Sequence, residues 1–432
     1  MELEDRLKSF DRFNLTHQRG AVTPQGKDRI VELLDGEMAE NRFGRFVLVR
    51  KRFDQNKLYQ EIKLSSSWDI NGEFLARICS SRKSGTKETC QIPFDLKETI
   101  FIDCETTGLA GGVGTYAFLV GLGYLNQEEF WIEQYFMQDF HQEGAILSAI
   151  AERLGGFKFL VSFNGKCYDL PLLENRFVIN RMDFDPANWV HFDLLFPCRR
   201  LWKRRIGECS LSNIEQRILT VRREIDVPSF MVPQIYFDYL RSGEAEPLIP
   251  VFYHNTYDIL SLLRLSILID QALSAGSIGE DFSLAEIGDP IDLYSLGRIH
   301  QNLGNCQASV RCFKQALSEN LPPQWQLEIS VSLAFVYKKT GCMEEAVRMW
   351  QKLSEGNLPF SFSVHEELAK YYEHKRKDYL KALSFVERAI SQLSSDLSLS
   401  FALVHQRRLN SLEYRKSRLE RRIKKATGYV GY

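Results

Sequence analysis

Short apolar runs of strand length alternate with helical apolar patterns between residues 96 and 275. The runs are rich in β-branched and aromatic residues, which is typical of buried strands. The pattern predicts strands at 99–103, 116–124, 129–136 and 159–163 and helices at 144–154 and 170–177. A meander of strands followed by strand–helix alternation predicts an α/β domain with a mixed central sheet flanked by helices.

The region before residue 96 carries fewer signals. Residues 25–40 have apolar side chains at helical spacing, which predicts one helix, and residues 44–50 favour a strand. Residues 80–87 are rich in serine and charged residues around one glycine, which is typical of a loop. Residues 1–95 are therefore interpreted as an N-terminal extension without recognisable chemistry.

Residues 290–395 contain an internal repeat. Gly304, Gly341 and Lys377 occupy one equivalent position, 37 and 36 residues apart, and an apolar helical face precedes each of them. Five positions after each comes a small residue, at Ser309, Ala346 and Ala382. This pattern resembles tetratricopeptide repeats, whose period is about 34 residues. It predicts an all-α domain in which stacked helix pairs bury their apolar faces.

The predicted organisation is completed by a basic tail, in which 407–425 favours a helix with a solvated surface as its simplest role. The predicted domains are an N-terminal extension at 1–95, an α/β domain at 96–275, helical repeats at 290–395 and a basic C-terminal helix or tail at 396–432.

Composition narrows the class of protein. Of 432 residues, 44% are apolar and 26% are charged, and the formal net charge is −1, so any basic footprint must be local. The nine cysteines form no C-x-x-C pair, which argues against a zinc ribbon, an iron–sulfur centre and a disulfide framework. With no apparent signal peptide and no apolar run of membrane-spanning length, we expect a cytoplasmic protein that contacts no membrane.

Two carboxylates stand at the end of the strand predicted at 99–103. Asp103 and Glu105 are two positions apart, so both point to the same face of a strand. Adjacent anions repel each other unless a cation compensates, and hard oxygen ligands favour Mg²⁺ or Mn²⁺. For this pair alone, a turn cap at Asp103 beside a solvated Glu105 is the alternative.

Later acidic residues complete the candidate set. Asp169 lies just before a predicted helix, where it is either a functional acid or a helix N-cap. Asp258 lies on a helix with a strong apolar face, and His254 stands four positions earlier on the same side. A histidine has an ordinary pKa of about 6.5, which suits a general base. A structural, helix-capping histidine is the alternative.

These segments resemble the three motifs of the DEDD, or DnaQ-like, 3′–5′ exonuclease superfamily, which has a ribonuclease-H-like fold. The matching segments are Ile102–Gly108, Phe163–Arg176 and Tyr253–Leu262. The third motif departs from the superfamily, which has Tyr four or His five positions before its last aspartate. Here His254 stands at minus four and Tyr253 at minus five, so either residue is left as the one that orients the attacking water.

The chain also resembles the bacterial YprB-type predicted exonucleases, which pair such a domain with tetratricopeptide-like helices. This resemblance rests on residues 103–115, 162–165, 209–213 and 254–255. It implies a metal-dependent hydrolase that cleaves phosphodiester bonds from a 3′ end with two divalent ions, Mg²⁺ or Mn²⁺. The implied metal ligands are Asp103, Glu105, Asp169 and Asp258, with Asp103 bridging both ions. Glu105 would orient the water and His254 would take its proton.

A nuclease also needs groups that hold nucleic acid, and a local basic run fits a single-stranded 3′ end as partner. The candidates are Asn164, which holds a loop, and Arg199, Arg200, Lys203, Arg204 and Arg205, with Trp202 as a base-stacking platform. Arg222 and Arg223 follow as further cations. A solvated helix face is the alternative for the run, and Asp193 is either an outer acid of the site or a turn residue.

Three other functions stay open at this level. The first is a catalytically inactive nuclease fold that serves as a base for helical repeats which bind a protein partner. The second is an endonuclease of the ribonuclease H type, and the third is a phosphodiesterase that acts on short oligonucleotides. Retention of all four carboxylates argues against the first, because an inactive site does not need them.

Overall fold

A computed structural model describes residues 26–54, 94–108, 114–127, 129–223, 225–275, 288–395 and 402–426. The chain divides into two compact units, Met1–Ser274 and Ala275–Tyr432. Within the described residues, all the strands lie in the first unit and the second unit is helical.

Seven strands of the first unit form one sheet. They are β1 (Glu37–Asn41), β2 (Gly44–Asp54), β3 (Thr99–Thr106), β4 (Ala117–Asn126), β5 (Glu129–Phe136), β6 (Phe159–Ser162) and β7 (Val190–Asp193). Their order is β1-β2-β5-β4-β3-β6-β7. β3, β6 and β7 are parallel to each other, and every other neighbouring pair is antiparallel. The carboxyl ends of β3, β6 and β7 therefore share one edge of the sheet.

Helices accompany this sheet and confirm the predicted mixed α/β architecture. They are α1 (Gly26–Leu33), α2 (Glu143–Leu154), α3 (Asp169–Ile179), α4 (Leu195–Ile206), α5 (Leu211–Ile214), α6 (Val232–Ser242) and α7 (Ile249–Ala275). α3 follows β6 and α4 follows β7, so both helices begin at the shared edge of the parallel strands. The apolar residues of the central strands, such as Phe101 and Val161, are fully buried.

The single helix predicted over residues 25–40 is wrong. The helix ends at Leu33, because Asp35 adopts a left-handed backbone with φ 50° and the chain turns there. Residues from Glu37 onward form β1, in which Met38 pairs with Val47 of β2. Because the apolar residues of the short helix and of the edge strand β1 together follow helical spacing, the sequence predicted one continuous helix. The strand predicted at 44–50 is confirmed and extends to Asp54, whereas the loop predicted at 80–87 lies outside the described residues.

Glycines on β4 allow α7 to approach the sheet closely. A Cβ atom on Gly121 would overlap Asn255 Oδ1 and Ile259 Cδ1 of α7. A Cβ atom on Gly123 would overlap Ile259 and Phe130. Because α7 carries the candidate residues His254 and Asp258, these glycines determine how near those side chains come to the end of β3.

The second unit is a series of antiparallel helices, each of which packs against the next in sequence. They are α8 (Pro290–Leu303), α9 (Cys306–Ser318), α10 (Pro323–Lys339), α11 (Met343–Glu355), α12 (Phe362–Tyr371), α13 (Tyr379–Ser395) and α14 (Ala402–Ala426). Gly304, Gly341 and Lys377 all have left-handed backbones at helix ends, with φ of 85°, 85° and 57°. The three positions that the repeat equates thus share one backbone geometry. Their specific likeness to tetratricopeptide repeats stays a prediction.

The basic C-terminal helix is more than a solvated surface. Leu412 and Leu419 of α14 are buried, and Leu419 is fully so. The carboxylate of Glu373, whose side chain is 0% exposed, lies 2.7 Å from both Arg415 and Arg418 of α14. One face of α14 therefore docks on the preceding helices through apolar contacts and a buried ion cluster. Most other residues of 407–425 are exposed, as expected for a solvated surface helix.

Seven cysteines lie within the described residues, and all of them are free thiols. Cys79 and Cys90 lie outside the described residues. In the described part of the chain, no helix combines the length and the apolarity that crossing a membrane requires.

We predict that Gly121→Ala lowers the free energy of unfolding of the first unit by about 1–3 kcal/mol, since overpacking against Asn255 and Ile259 forces α7 away from β4. Urea titration followed by circular dichroism measures this change. Gly155→Ala is the matched control, because Gly155 has a right-handed backbone and an added Cβ there meets only ordinary contacts. Equal stabilities of the two variants would refute the close-approach argument.

Candidate active site

Four carboxylates from three elements converge at the end of β3. Asp103 and Glu105 share one face of β3, Asp169 is the first residue of α3, and Asp258 lies on α7. Burial raises the pKa of Asp103 well above its ordinary value, and the charges of the other three carboxylates raise it further. The four carboxylates therefore lie near one another, and we call this cluster, with the side chains that contact it, the acidic recess.

Asn255 connects this recess to the sheet beneath it. Its Nδ2 donates to the Asp103 carbonyl at 3.1 Å and to Asp103 Oδ2 at 2.9 Å. Its Oδ1 accepts from Gln134 Nε2 at 2.9 Å. Asp103, Gly121 and Gln134 lie side by side on β3, β4 and β5. Asn255 therefore reaches across β4 at Gly121, which has no side chain, and fixes the carboxylate of Asp103.

His254 lies among the carboxylates and Tyr253 does not. His254 Nε2 is 3.6 Å from Asp258 Oδ2 and 3.9 Å from Glu105 Oε1. Its Nδ1 lies 2.7 Å from Asp226 Oδ1, so that partner assigns the proton to Nδ1 and orients the ring. The Tyr253 ring instead lies under the Lys51 ammonium, 4.7 Å from the ring centroid. Of the two residues left open by the third motif, His254 has the geometry of a site residue.

The acids and the histidine have strongly shifted proton affinities. Burial raises the pKa of Glu105 to about 7 and that of Asp169 to about 7, and neighbouring carboxylates add to the effect. Burial alone would lower the pKa of His254, but the surrounding carboxylates outweigh it and raise the pKa to about 10. Such shifts mark a site in which negative charge is crowded and incompletely compensated.

Arg223 is the second protein cation of this recess, and it was expected as a phosphate ligand on the surface. Its side chain is 7% exposed, and its guanidinium donates to Glu215 through Nε at 2.9 Å and Nη2 at 2.6 Å. Nη2 also donates to Asp258 Oδ1. Arg223 therefore neutralises acidic groups inside the protein.

The donor set fits a divalent cation in its chemistry. Carboxylate oxygens are the ligands that Mg²⁺ and Mn²⁺ prefer, and raised carboxyl pKa values show that positive charge is in demand there. Among the described residues, however, no three His, Cys, Asp or Glu side chains are already grouped closely enough to hold an ion. Arg223 and His254 lie against the acids instead.

The loop after β6 is held by Asp193, for which an outer acid of the site and a turn residue were the two expected roles. Its hydrogen bonds to loop backbone fit the second role. Asp193 is fully buried and its carboxylate accepts backbone N–H bonds from Asn164 at 2.7 Å, Lys166 at 3.2 Å and Leu195 at 3.1 Å. Asn164 itself has a left-handed backbone with φ 65°. Asp193 thus positions the loop that leads to Asp169. The N-cap residue of α3 is Tyr168, and Asp169 is the first residue of the helix itself.

The basic run lies on α4 with most of its charge exposed. Arg199, Arg200, Lys203 and Arg204 are exposed, and Arg205 is half-buried. Trp202 is only 4% exposed, so no ring face is open to a base and its proposed stacking role is wrong. The aromatic residue on the basic face is Phe196, which is 40% exposed and stands three and four positions before the first two arginines.

Comparison with known proteins agrees with this architecture. Residues 100–269, from β3 to α7, match the family model described as RNase_H superfamily. The sheet-bearing unit is a ribonuclease-H-like domain. A protein of Bacillus subtilis (strain 168) named "Uncharacterized protein YprB" is 29% identical over 332 residues, which cover 76% of this chain and 76% of the relative. Ribonuclease-H-like nucleases generally use divalent metals.

The sequence did not reveal the role of several residues of the recess. Asn255 lies in a matching motif that assigns it no role, and no motif includes Asp226 or Glu215. Their signal is tertiary, because Glu215 and Asp226 lie in the segment between α5 and α6 and reach α7 only in the folded chain. A buried polar position on the apolar face of a long helix, as at Asn255, is the one cue that the sequence offered.

We predict that Glu105→Gln raises the melting temperature of the metal-free first unit at pH 8 by a few degrees, on the order expected for one or two kcal/mol. The raised pKa of Glu105 favours its neutral form in the folded protein, so the wild type loses stability as pH rises from about 4.5 to about 7. The variant lacks this loss. Calorimetry at pH 5 and pH 8 with a chelator measures the difference.

The exposed Glu152→Gln substitution on α2 is the matched control for charge removal and should leave both melting temperatures unchanged. A Glu105→Gln protein that is less stable than the wild type at pH 8 would contradict the crowding of negative charge.

Proposed function

We propose that this protein is a metal-dependent 3′–5′ exonuclease that hydrolyses phosphodiester bonds of nucleic acid. The proposal is carried by one observation, the convergence of Asp103, Glu105, Asp169 and Asp258 beside His254 in a ribonuclease-H-like domain. Direction of cleavage and preference for chain ends come from the resemblance of the three sequence motifs.

The four carboxylates would hold two divalent ions, Mg²⁺ or Mn²⁺, which would supply an activated water and stabilise charge on the leaving 3′ oxygen. Asp103 is held ready for this by Asn255, whose two bonds leave Asp103 little rotational freedom. Asp169 is placed by the loop that Asp193 fixes. Asp103 and Asp169 therefore each have support from the scaffold, which is what a preorganised site requires.

His254 is proposed to take a proton at Nε2. Asp226 holds Nδ1, so Nε2 is the ring nitrogen directed toward Glu105 and Asp258. With its pKa at about 10, the imidazole is a cation among uncompensated acids. Positive charge brought to the carboxylates lowers that pKa and frees Nε2 to act as a base.

The nucleic acid is proposed to lie along α4 as a single strand with its 3′ end in the recess. β7 ends at the same edge as β3, and α4 leaves that edge with its cations exposed. Phosphates would contact Arg199, Arg200, Lys203 and Arg204, and Phe196 replaces Trp202 as the residue that can stack on a base. Asn164 would act through the loop and not by direct contact.

The helical unit is proposed to bind a protein partner through its stacked helices, with domain limits near those expected from the sequence. Stacked helix pairs offer extended surfaces for binding. This role is independent of cleavage, so it would remain if the nuclease site were inactive.

End-labelled single-stranded DNA and RNA tested with Mn²⁺ or Mg²⁺ should give ladders that shorten from the 3′ end. Asp103→Asn should reduce the rate by at least about a thousandfold, because it removes the charge that both ions share. A 5′ label and a circular substrate separate exonuclease from endonuclease activity, and dinucleotides test for a phosphodiesterase of short oligonucleotides.

Cleavage of circular strands would replace the exonuclease with an endonuclease. Mn²⁺ binding without any cleavage would favour the inactive scaffold, whose function would then lie in the helical unit. Asp185→Asn, outside the recess on a turn before β7, is the matched control and should cleave at the wild-type rate.

The double substitution Arg199→Gln with Lys203→Gln should weaken binding of single-stranded nucleic acid and reduce the slope of log K against log salt by about 1.4, since each phosphate contact contributes about 0.7. Fluorescence anisotropy at several salt concentrations measures this slope. Phe196→Ala should weaken binding with an unchanged slope, because stacking involves no counterion release.

Arg241→Gln on α6, an exposed arginine away from the basic face, is the control and should change neither quantity. An unchanged slope in the α4 double variant would remove α4 from the proposed binding surface.

A further inference from the structure

Arg223 connects two parts of the ribonuclease-H-like unit. It lies in the segment between α5 and α6. Its guanidinium contacts both Glu215, which directly follows α5, and Asp258 of α7. Ser261 donates to Glu215 Oε1 at 2.6 Å, which holds that carboxylate in place. The guanidinium also lies over the Tyr257 ring, 5.4 Å from the centroid. Glu215, Asp258 and Tyr257 therefore contact the guanidinium directly.

Arg223 also reaches the side of His254 that faces Asp226. Nη1 lies 3.1 Å from His254 Nδ1 and 3.5 Å from Asp226 Oδ1. Asp258 therefore lies between two basic side chains, with Arg223 Nη2 against Oδ1 and His254 Nε2 3.6 Å from Oδ2.

We propose that Arg223 is an internal counter-ion that occupies the cation-binding side of Asp258 in the metal-free protein and competes with a divalent ion for that carboxylate. The proposal rests on the metal site of the proposed function and adds a residue that regulates its occupancy. Arg223 is a positioning residue here, since it acts through Asp258 and is not placed against substrate.

The geometry separates this role from that of a purely structural ion pair. Two of the guanidinium donors, Nε and Nη2, bind Glu215, so Arg223 stays anchored when its bond to Asp258 breaks. Glu215 is buried, with a side chain 3% exposed, and needs that partner in either state. Only the bond from Nη2 to Asp258 is therefore exchanged when positive charge enters the recess.

Both oxygens of Asp258 already face basic side chains of the protein. Oδ1 accepts from Arg223, and Oδ2 lies 3.6 Å from His254 Nε2. Loss of the guanidinium charge should release Asp258 toward the other carboxylates, and it removes a positive charge that repels an incoming cation.

The test is Mn²⁺ binding to the full chain, measured by isothermal titration calorimetry and by the free Mn²⁺ signal in electron paramagnetic resonance. Arg223→Gln should bind Mn²⁺ about tenfold more tightly than the wild type, with a lower melting temperature in a chelator and a larger gain on adding Mn²⁺. Arg223→Lys, which keeps the charge, should stay within about twofold of the wild type.

Arg222→Gln is the matched control, because it is the same substitution at the exposed neighbouring position, and its affinity should not change. Combining Arg223→Gln with Asp258→Asn should abolish the gain in affinity, since the competition needs the carboxylate. Arg223→Met, which keeps an unbranched stem, is the second variant if circular dichroism shows that the glutamine variant is unfolded, and the same gain is expected.

Unchanged or weaker Mn²⁺ binding by the folded Arg223 variants overturns the inference, because a merely supporting arginine would preserve or improve the ligand geometry. A wild type that binds Mn²⁺ and shows the Arg223 effect without cleaving nucleic acid overturns the proposed function and leaves the inference intact. If the wild type cleaves nucleic acid but Arg223→Gln leaves the Mn²⁺ affinity unchanged, the inference is overturned and the proposed function stands.

Discussion

The close packing of α7 on β4 is the constraint on which the candidate site depends. Because Gly121 has no side chain, Asn255 can reach across that strand to Asp103 on one neighbour and Gln134 on the other. The same helix carries His254 and Asp258, so one contact determines the position of three site residues. Fold stability and site geometry are coupled here, since any change that lifts α7 disturbs both.

A second feature of the domain is the way it tolerates crowded negative charge. Carboxylates that raise each other's pKa oppose folding at neutral pH, and the protein compensates with two cations of its own, Arg223 and His254. At Asp103, the uncharged amide of Asn255 also stabilises the carboxylate by donating a hydrogen bond to Oδ2. Such a site trades stability for the ability to attract a cation, a balance that is common at functional positions.

The sequence predicted the features that depend on local pattern. Strand and helix periodicity located the sheet and α7, and the spacing of Asp103 and Glu105 placed both on one face of β3. It failed where distant segments decide. Arg223 was expected at the surface because its acidic partners are remote in sequence, and Trp202 was expected to be exposed because it stands among cations. Helical phase would have placed Trp202 with the buried Leu195 and Cys198, opposite Phe196.

The buried carboxylate of Glu373 has a consequence for the length of the helical array. An array of stacked helix pairs has open ends, and here α14 closes one end with Leu419 and with arginines that neutralise Glu373. A further helix pair packed here in place of α14 would need both an apolar face and guanidinium groups that reach Glu373. A replacement pair without those groups would leave Glu373 buried and without a counter-ion, which is costly.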